Sequence, residues 1–180
     1  KQSLADLTLQ NQQVQHALKS ARKDGLTQLP GRAEFLGLVE ELHQNVSIAG
    51  NSQLVILFLD LDGFKGINDL HGHVTGDAVL KKTADVLRDQ TRGADIVGRF
   101  GGDEFVICLH AEAGRFEQIA IDVASRIVEK VAAIGYGVGC SVGIAVWTSA
   151  CPDLDSVIRR ADEAMYEAKR RGKNQFVFSN

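Results

Sequence analysis

Residues 53–60 read Gln-Leu-Val-Ile-Leu-Phe-Leu-Asp, an apolar run closed by a carboxylate. Its length and flanks predict a buried strand. The strand ends in Asp60-Leu61-Asp62-Gly63, which sets acidic side chains at the rim of a core. With 180 residues, 44% hydrophobic and 24% charged, the chain affords one ordinary domain and is unlike a disordered segment. Twenty Lys and Arg stand against 23 Asp and Glu, and a net charge of −3 argues against a general nucleic-acid binder. No apolar run approaches the roughly 18 residues of a membrane span. With no Met start and no signal peptide, the sequence reads as a cytoplasmic piece of a larger, in one version membrane-bound, protein. Cys108, Cys140 and Cys151 lack metal-ligand spacing. Cys108 and Cys140 sit in strand-like runs, and the expectation is buried thiols in a reducing compartment.

Residues 1–23 contain no Gly, Pro, Phe, Tyr or Trp. Leu4, Leu7, Asn11, Val14, Leu18 and Ala21 follow a 3-4-3-4-3 spacing, the seam of a two-helix coil, with Asn11 as a register-fixing polar residue. The alternative is a lone amphipathic helix packed on its own domain. Residues 24–180 have globular composition. Phe35, Leu38, Val39 and Leu42 mark one helical face; short and long helices are expected over about Phe64–Leu70 and Gly76–Gln90. Strands Asp95–Phe100 and Glu104–His110 meet through Gly101-Gly102-Asp103, a hairpin signal because glycine tolerates positive φ. A helix over Phe116–Ala133, a strand over Val138–Trp147, a helix over Leu154–Arg171 and a closing strand over Gln175–Phe178 follow. The order α-β-α-α-β-β-α-β-α-β contains β-α-β-β-α-β, and predicts an α/β (α+β) ferredoxin-like sandwich with a mostly antiparallel sheet.

Two acidic turns carry the chemistry. Asp60 and Asp62 close the buried strand, and Asp103 and Glu104 sit at the hairpin. Few hard oxygen ligands beside a Gly-rich turn suit Mg²⁺, which completes its shell with phosphate and water; the plain alternative is four solvated turn residues. Lys65, Lys169 and Lys173 would suit a triphosphate around such an ion, although each alone is an ordinary surface cation. Asn68 and Asp77 form an amide–carboxylate pair able to read a guanine edge, and both types are also common capping residues. His71 and His73 stand two apart in a Gly-rich loop and are not expected to ligate a metal; His73 is read as a loop-packing residue.

Gly101-Gly102-Asp103-Glu104-Phe105 is the motif that names the GGDEF family, and the chain resembles a diguanylate cyclase. Asp24-Gly25-Leu26-Thr27 with Leu29 and Arg32 resembles the family's entry motif. Phe58-Leu59-Asp60-Leu61-Asp62, Phe64-Lys65, Asn68-Asp69, Gly72-His73 and Gly76-Asp77 follow its central pattern. Ser141–Ala145 and Ala161–Lys169 complete a resemblance over about 24–178, with residues 1–23 similar to the helix linking such domains to an upstream sensor. The resemblance implies a cyclase-palm fold and condensation of two GTP into cyclic di-GMP and pyrophosphate in a homodimer. It implies two Mg²⁺ per site, with Mn²⁺ as a substitute, held by Asp60, the Leu61 carbonyl and Glu104. Asp103 is implied as a further ligand or an aid to deprotonating the ribose 3′-OH. Catalysis falls to Asp103, Glu104 and Lys65; phosphates to Lys65, Lys169 and Lys173; guanine to Asn68 and Asp77, with Phe64, Gly101 and Gly102 lining the substrate.

Arg92-Gly93-Ala94-Asp95 matches the family's RxxD product-inhibition site, to which Arg126 is a further candidate. Lys173 stands where Arg is frequent and Gly31 where Asn is, and neither change removes a required group. The competing reading is a non-catalytic module that senses GTP or cyclic di-GMP and regulates an attached domain such as a phosphodiesterase.

Overall fold

A computed structural model describes residues 23–49, 52–148 and 151–179. The 3-4-3-4-3 seam from Leu4 to Ala21 lies outside the described residues. In chain order the elements are α1 (Arg32–Ala49), β1 (Ser52–Asp62), α2 (Phe64–His71), α3 (His73–Gln90), β2 (Ile96–Gly101), β3 (Glu104–Glu112), α4 (Phe116–Ala132), β4 (Gly139–Val146), α5 (Leu154–Arg170) and β5 (Phe176–Phe178). The sheet order is β2-β3-β1-β4-β5. β1 runs antiparallel to β3 and β4, β2 antiparallel to β3, and only β5 joins its neighbour in parallel. This is the mostly antiparallel sandwich that the element order predicts.

The uninterrupted apolar run of β1 has a simple cause: helices cover both faces of its central position. Val55, Leu57, Leu59 and Leu61 pack with Val79 and Leu80 of α3 and Ala120 and Ile127 of α4. Leu54, Ile56 and Phe58 pack with Phe35 and Val39 of α1 and Ala161 and Met165 of α5. Strand side chains alternate, so a one-residue slip would exchange the two faces and drive Asp60 into the α3/α4 core. α5 lies so close to β4 that a Cβ on Gly143 would sit 1.8 Å from the Ala161 carbonyl oxygen and 2.2 Å from the Met165 nitrogen.

The structure corrects several expectations. β1 extends to Asp62 and not only to Asp60, and α3 begins at His73, one residue after Gly72 at φ +81°. Gly76 therefore lies inside a helix, where a sequence reading took glycine as its start. Leu38 is 38% exposed and off the apolar face expected of it. His73 is exposed, whereas His71 contacts the Tyr136 ring at 5.3 Å. All three cysteines are buried and free, and burial raises the Cys140 thiol to about 12.

Candidate active site

The alternation that fills the core also aims the carboxylates. Asp60 follows Leu54, Ile56 and Phe58 at the strand period and so faces the α1/α5 side, and the register pairs it with Glu104 across the ladder. The two acidic turns are therefore one site. The Leu61 amide donates to the Asp103 carbonyl at 3.2 Å and ties the strand end to the hairpin. Gly101 (φ +143°) and Gly102 (φ +51°) form the turn in conformations costly for a side-chain-bearing residue.

Arg99 fixes that turn from behind, a role the sequence reading did not give it. Its Nη2 donates to the Gly102 carbonyl at 2.6 Å and its Nη1 to Asp24 Oδ1 at 2.9 Å. Burial alone would raise the Asp24 carboxyl. Bonds from the Thr27 hydroxyl and amide, with the Arg99 guanidinium, outweigh that and hold it below the usual carboxylate range. The entry motif thus anchors the hairpin.

Lys169 Nζ lies 2.7 Å from Asp60 Oδ1, with the two side chains 29% and 13% exposed. Burial pushes the Asp60 carboxyl up, opposed by Lys169 and reinforced by Asp103 and Asp62. Glu104 is also raised, by burial and then by the charges of Asp60, Asp162 and Asp103. Carboxylates held above their usual range by burial and mutual repulsion form a site short of positive charge. Among the described residues no cluster of three or more His, Cys, Asp or Glu is arranged to hold a metal. Two carboxylates and the Leu61 carbonyl are nonetheless an all-oxygen set that fits Mg²⁺, whose shell phosphate and water complete.

Asp62 belongs to the framework and not to this site. Ser141 Oγ donates to its Oδ1 at 2.9 Å and its Oδ2 at 3.0 Å, and the Asn174 amide donates to Oδ2 at 2.9 Å. Lys169, expected on phosphate, is here the partner of Asp60. Lys65, Asp77 and Lys173 are exposed, with no side-chain hydrogen bond or ion pair among the described residues. Asp162, given no role from sequence, bears on Glu104; it stands seven residues before Lys169, about two turns earlier on the same face of α5.

Asn68 lies against Gly76, beside Asp77. A Cβ on Gly76 would fall 1.9 Å from Asn68 Oδ1 and 3.3 Å from Phe64 Cζ, so glycine is what lets α3 pass under that amide. On the expectation, implied by the resemblance above, that Asn68 reads a guanine edge, Gly76→Ala displaces that amide and raises KM for GTP roughly tenfold or more with kcat reduced less. Steady-state kinetics checks this, and an unchanged KM would overturn that expectation.

Arg92 and Asp95 line one pocket of 80 Å³ with Arg126, which is distant from them in sequence, and with Gln90, His110 and Asp122. Asp95 accepts from the Arg92 amide at 2.7 Å and from the His110 amide at 3.0 Å, which fixes its carboxylate. Arg126 Nε donates to Gln90 Oε1 at 3.1 Å.

The family model described as "Diguanylate cyclase, GGDEF domain" matches residues 21–175. The chain belongs to the GGDEF family. The GGDEF domain is 33% identical to diguanylate cyclase A of Treponema denticola, over 98% of this chain and 48% of that protein. It is 42% identical to diguanylate cyclase DosC of Escherichia coli K12, over 84% of this chain and 34% of that protein. The chain thus spans less than half of these relatives. The coiled coil and GGDEF domain of DgcB from Caulobacter crescentus, solved with c-di-GMP, superposes with a TM-score of 0.82 at 28% identity, covering 97% of this chain and 96% of that one. Among the described residues no helix is long and apolar enough to cross a membrane.

Proposed function

We propose that this GGDEF domain condenses two GTP into cyclic di-GMP, releasing two pyrophosphates, with each active site completed by a second copy of the domain. The observation that carries the reading is the cross-strand pairing of Asp60 with Glu104, backed by Lys169, at the end of the strand that leads to Asn68. Asp60, Glu104 and the Leu61 carbonyl would hold the divalent cations. Bound there, such ions lower the pKa of the attacking hydroxyl and offset charge on the leaving pyrophosphate. Each ribose 3′-oxygen forms a bond to the α-phosphorus of the other GTP as the bond to pyrophosphate breaks. Asp103 or Glu104 would take the departing proton. Lys65 and Lys173, without side-chain partners among the described residues, would receive the phosphates with Lys169, while Asp77 would accept from the guanine N–H groups and the Asn68 amide would donate to the base.

One domain offers one such site, so the attacking hydroxyl comes from a facing copy. The seam expected over residues 1–23, like the coiled coil present in the DgcB structure, supports this by raising the local concentration of paired domains. The pocket of Arg92, Asp95 and Arg126 supports feedback by cyclic di-GMP: guanidiniums grip guanine or phosphate, and the carboxylate accepts from the base. The expected result is pyrophosphate release from GTP with Mg²⁺, slowed by added cyclic di-GMP in the unaltered chain and not in Arg92→Ala. Release from ATP at the same rate would contradict the guanine reading, and inhibition that persists in Arg92→Ala would place the regulatory site elsewhere.

A further inference from the structure

We infer that Lys169 is the counter-ion that holds Asp60 until nucleotide arrives, so that divalent cation and GTP load together and not cation first. The inference rests on the metal and phosphate roles proposed above. Its basis is geometric: the ammonium lies 2.7 Å from Asp60 Oδ1 with both side chains largely covered, so water screens the pair poorly.

Every other charged group that bears on Asp60 is acidic: Asp103 from the hairpin and Asp62 from the same strand. Glu104 is its cross-strand partner and is itself faced by Asp162 of α5. Asp62 is already engaged by Ser141 and the Asn174 amide, which leaves Lys169 as the cation this cluster leans on.

A bare divalent ion entering between Asp60 and Glu104 must expel Lys169 and then sit beside the ammonium it displaced, with no anion to receive that charge. A nucleotide changes the balance, because its phosphates give Lys169 a new partner as it leaves Asp60. Lys173, four residues on, is exposed and without a side-chain partner among the described residues, so phosphate can dock there while Lys169 still holds the carboxylate. The two ligands then favour each other, and by linkage each raises the affinity of the other by the same factor.

The test is Mn²⁺ binding to the whole chain, read by electron paramagnetic resonance of the free ion, with and without 3′-deoxy-GTP, each against a protein-free titration of the same Mn²⁺ and nucleotide so that the ion held by the nucleotide alone is subtracted. That nucleotide keeps the triphosphate and guanine but lacks the attacking hydroxyl. In the unaltered chain Mn²⁺ alone binds weakly and 3′-deoxy-GTP tightens it. In Lys169→Met, Mn²⁺ alone binds at least roughly fivefold tighter and the gain from nucleotide shrinks; Lys169→Gln repeats this with a polar side chain, and Lys169→Arg restores the unaltered behaviour. Mn²⁺ affinity without nucleotide that is unchanged or weaker in both Lys169→Met and Lys169→Gln, while 3′-deoxy-GTP still recruits the ion, overturns the counter-ion role and leaves the site assignment standing. Failure of Mn²⁺ to bind the unaltered chain even with 3′-deoxy-GTP overturns the site assignment and this inference together.

Discussion

Glu104→Gln is expected to lower cyclic di-GMP formation by about a hundredfold or more, the scale set by losing a few kcal/mol of charge stabilisation at the reacting phosphorus. The substitution keeps shape and removes charge. It should not unfold the domain, because the ionised Glu104 is held in place against burial and against Asp60, Asp162 and Asp103. The sign follows from the raised carboxyl. The folded state binds that proton more tightly than the unfolded chain, so the stability linked to it is fully present below the ordinary carboxylate value. It is lost as pH rises through the raised value. A neutral carboxamide mimics the favoured form, so at neutral pH the metal-free variant should melt at the same temperature as the parent or higher. Its melting temperature should also gain less from added Mg²⁺. Product assays paired with thermal melts check both halves. Retained turnover would remove Glu104 from the metal set, and a lower melting temperature would mean that Glu104 makes stabilising contacts outweighing the repulsion.

Gly143→Ala is expected to destabilise the domain by about 3 kcal/mol, the upper part of the range for overpacking a core. The added methyl would meet the Ala161 carbonyl and the backbone around Ala164 and Met165, groups that no rotamer change can move aside. α5 must lift from β4, and α5 carries Lys169 to Asp60. In a chain of this length that loss lowers the melting temperature by about 6–12 °C, and turnover should fall with it. Differential scanning calorimetry reads the shift. A melting temperature within about 2 °C of the parent would show that α5 is not seated as closely as the described packing requires.

Much of this was legible in the chain because local and global signals agree. The run from Gln53 to Asp60 reads as a buried strand, and its unbroken apolar character follows from helices on both faces. The hairpin was legible because two glycines of positive φ separate two strand-like runs. The start of α3 was not, although its end at Gln90 was, since Gly76 serves the close passage of Asn68 and looks in sequence like a boundary. Asp60 and Asp62 are equivalent by spacing, and only the fold separates them by bringing Ser141 and Asn174 onto the second. The Lys169–Asp60 pair joins residues 109 positions apart by number, and no periodicity reports such a contact. Arg99 carried a weak signal, a cation just ahead of Phe100 and the glycine turn, but its partner Asp24 comes from the distant entry motif.

The most direct measurement of the central claim is identification of the nucleotide product by chromatography and mass spectrometry after incubation with GTP and Mg²⁺. Protein should be concentrated enough to favour pairing of domains and stripped of retained nucleotide beforehand. The account predicts cyclic di-GMP, with two pyrophosphates released for each molecule formed, and about a hundredfold less or lower still in Glu104→Gln run alongside. GTP recovered intact under those conditions would contradict it, and would assign this GGDEF domain to nucleotide sensing for a neighbouring domain in place of synthesis.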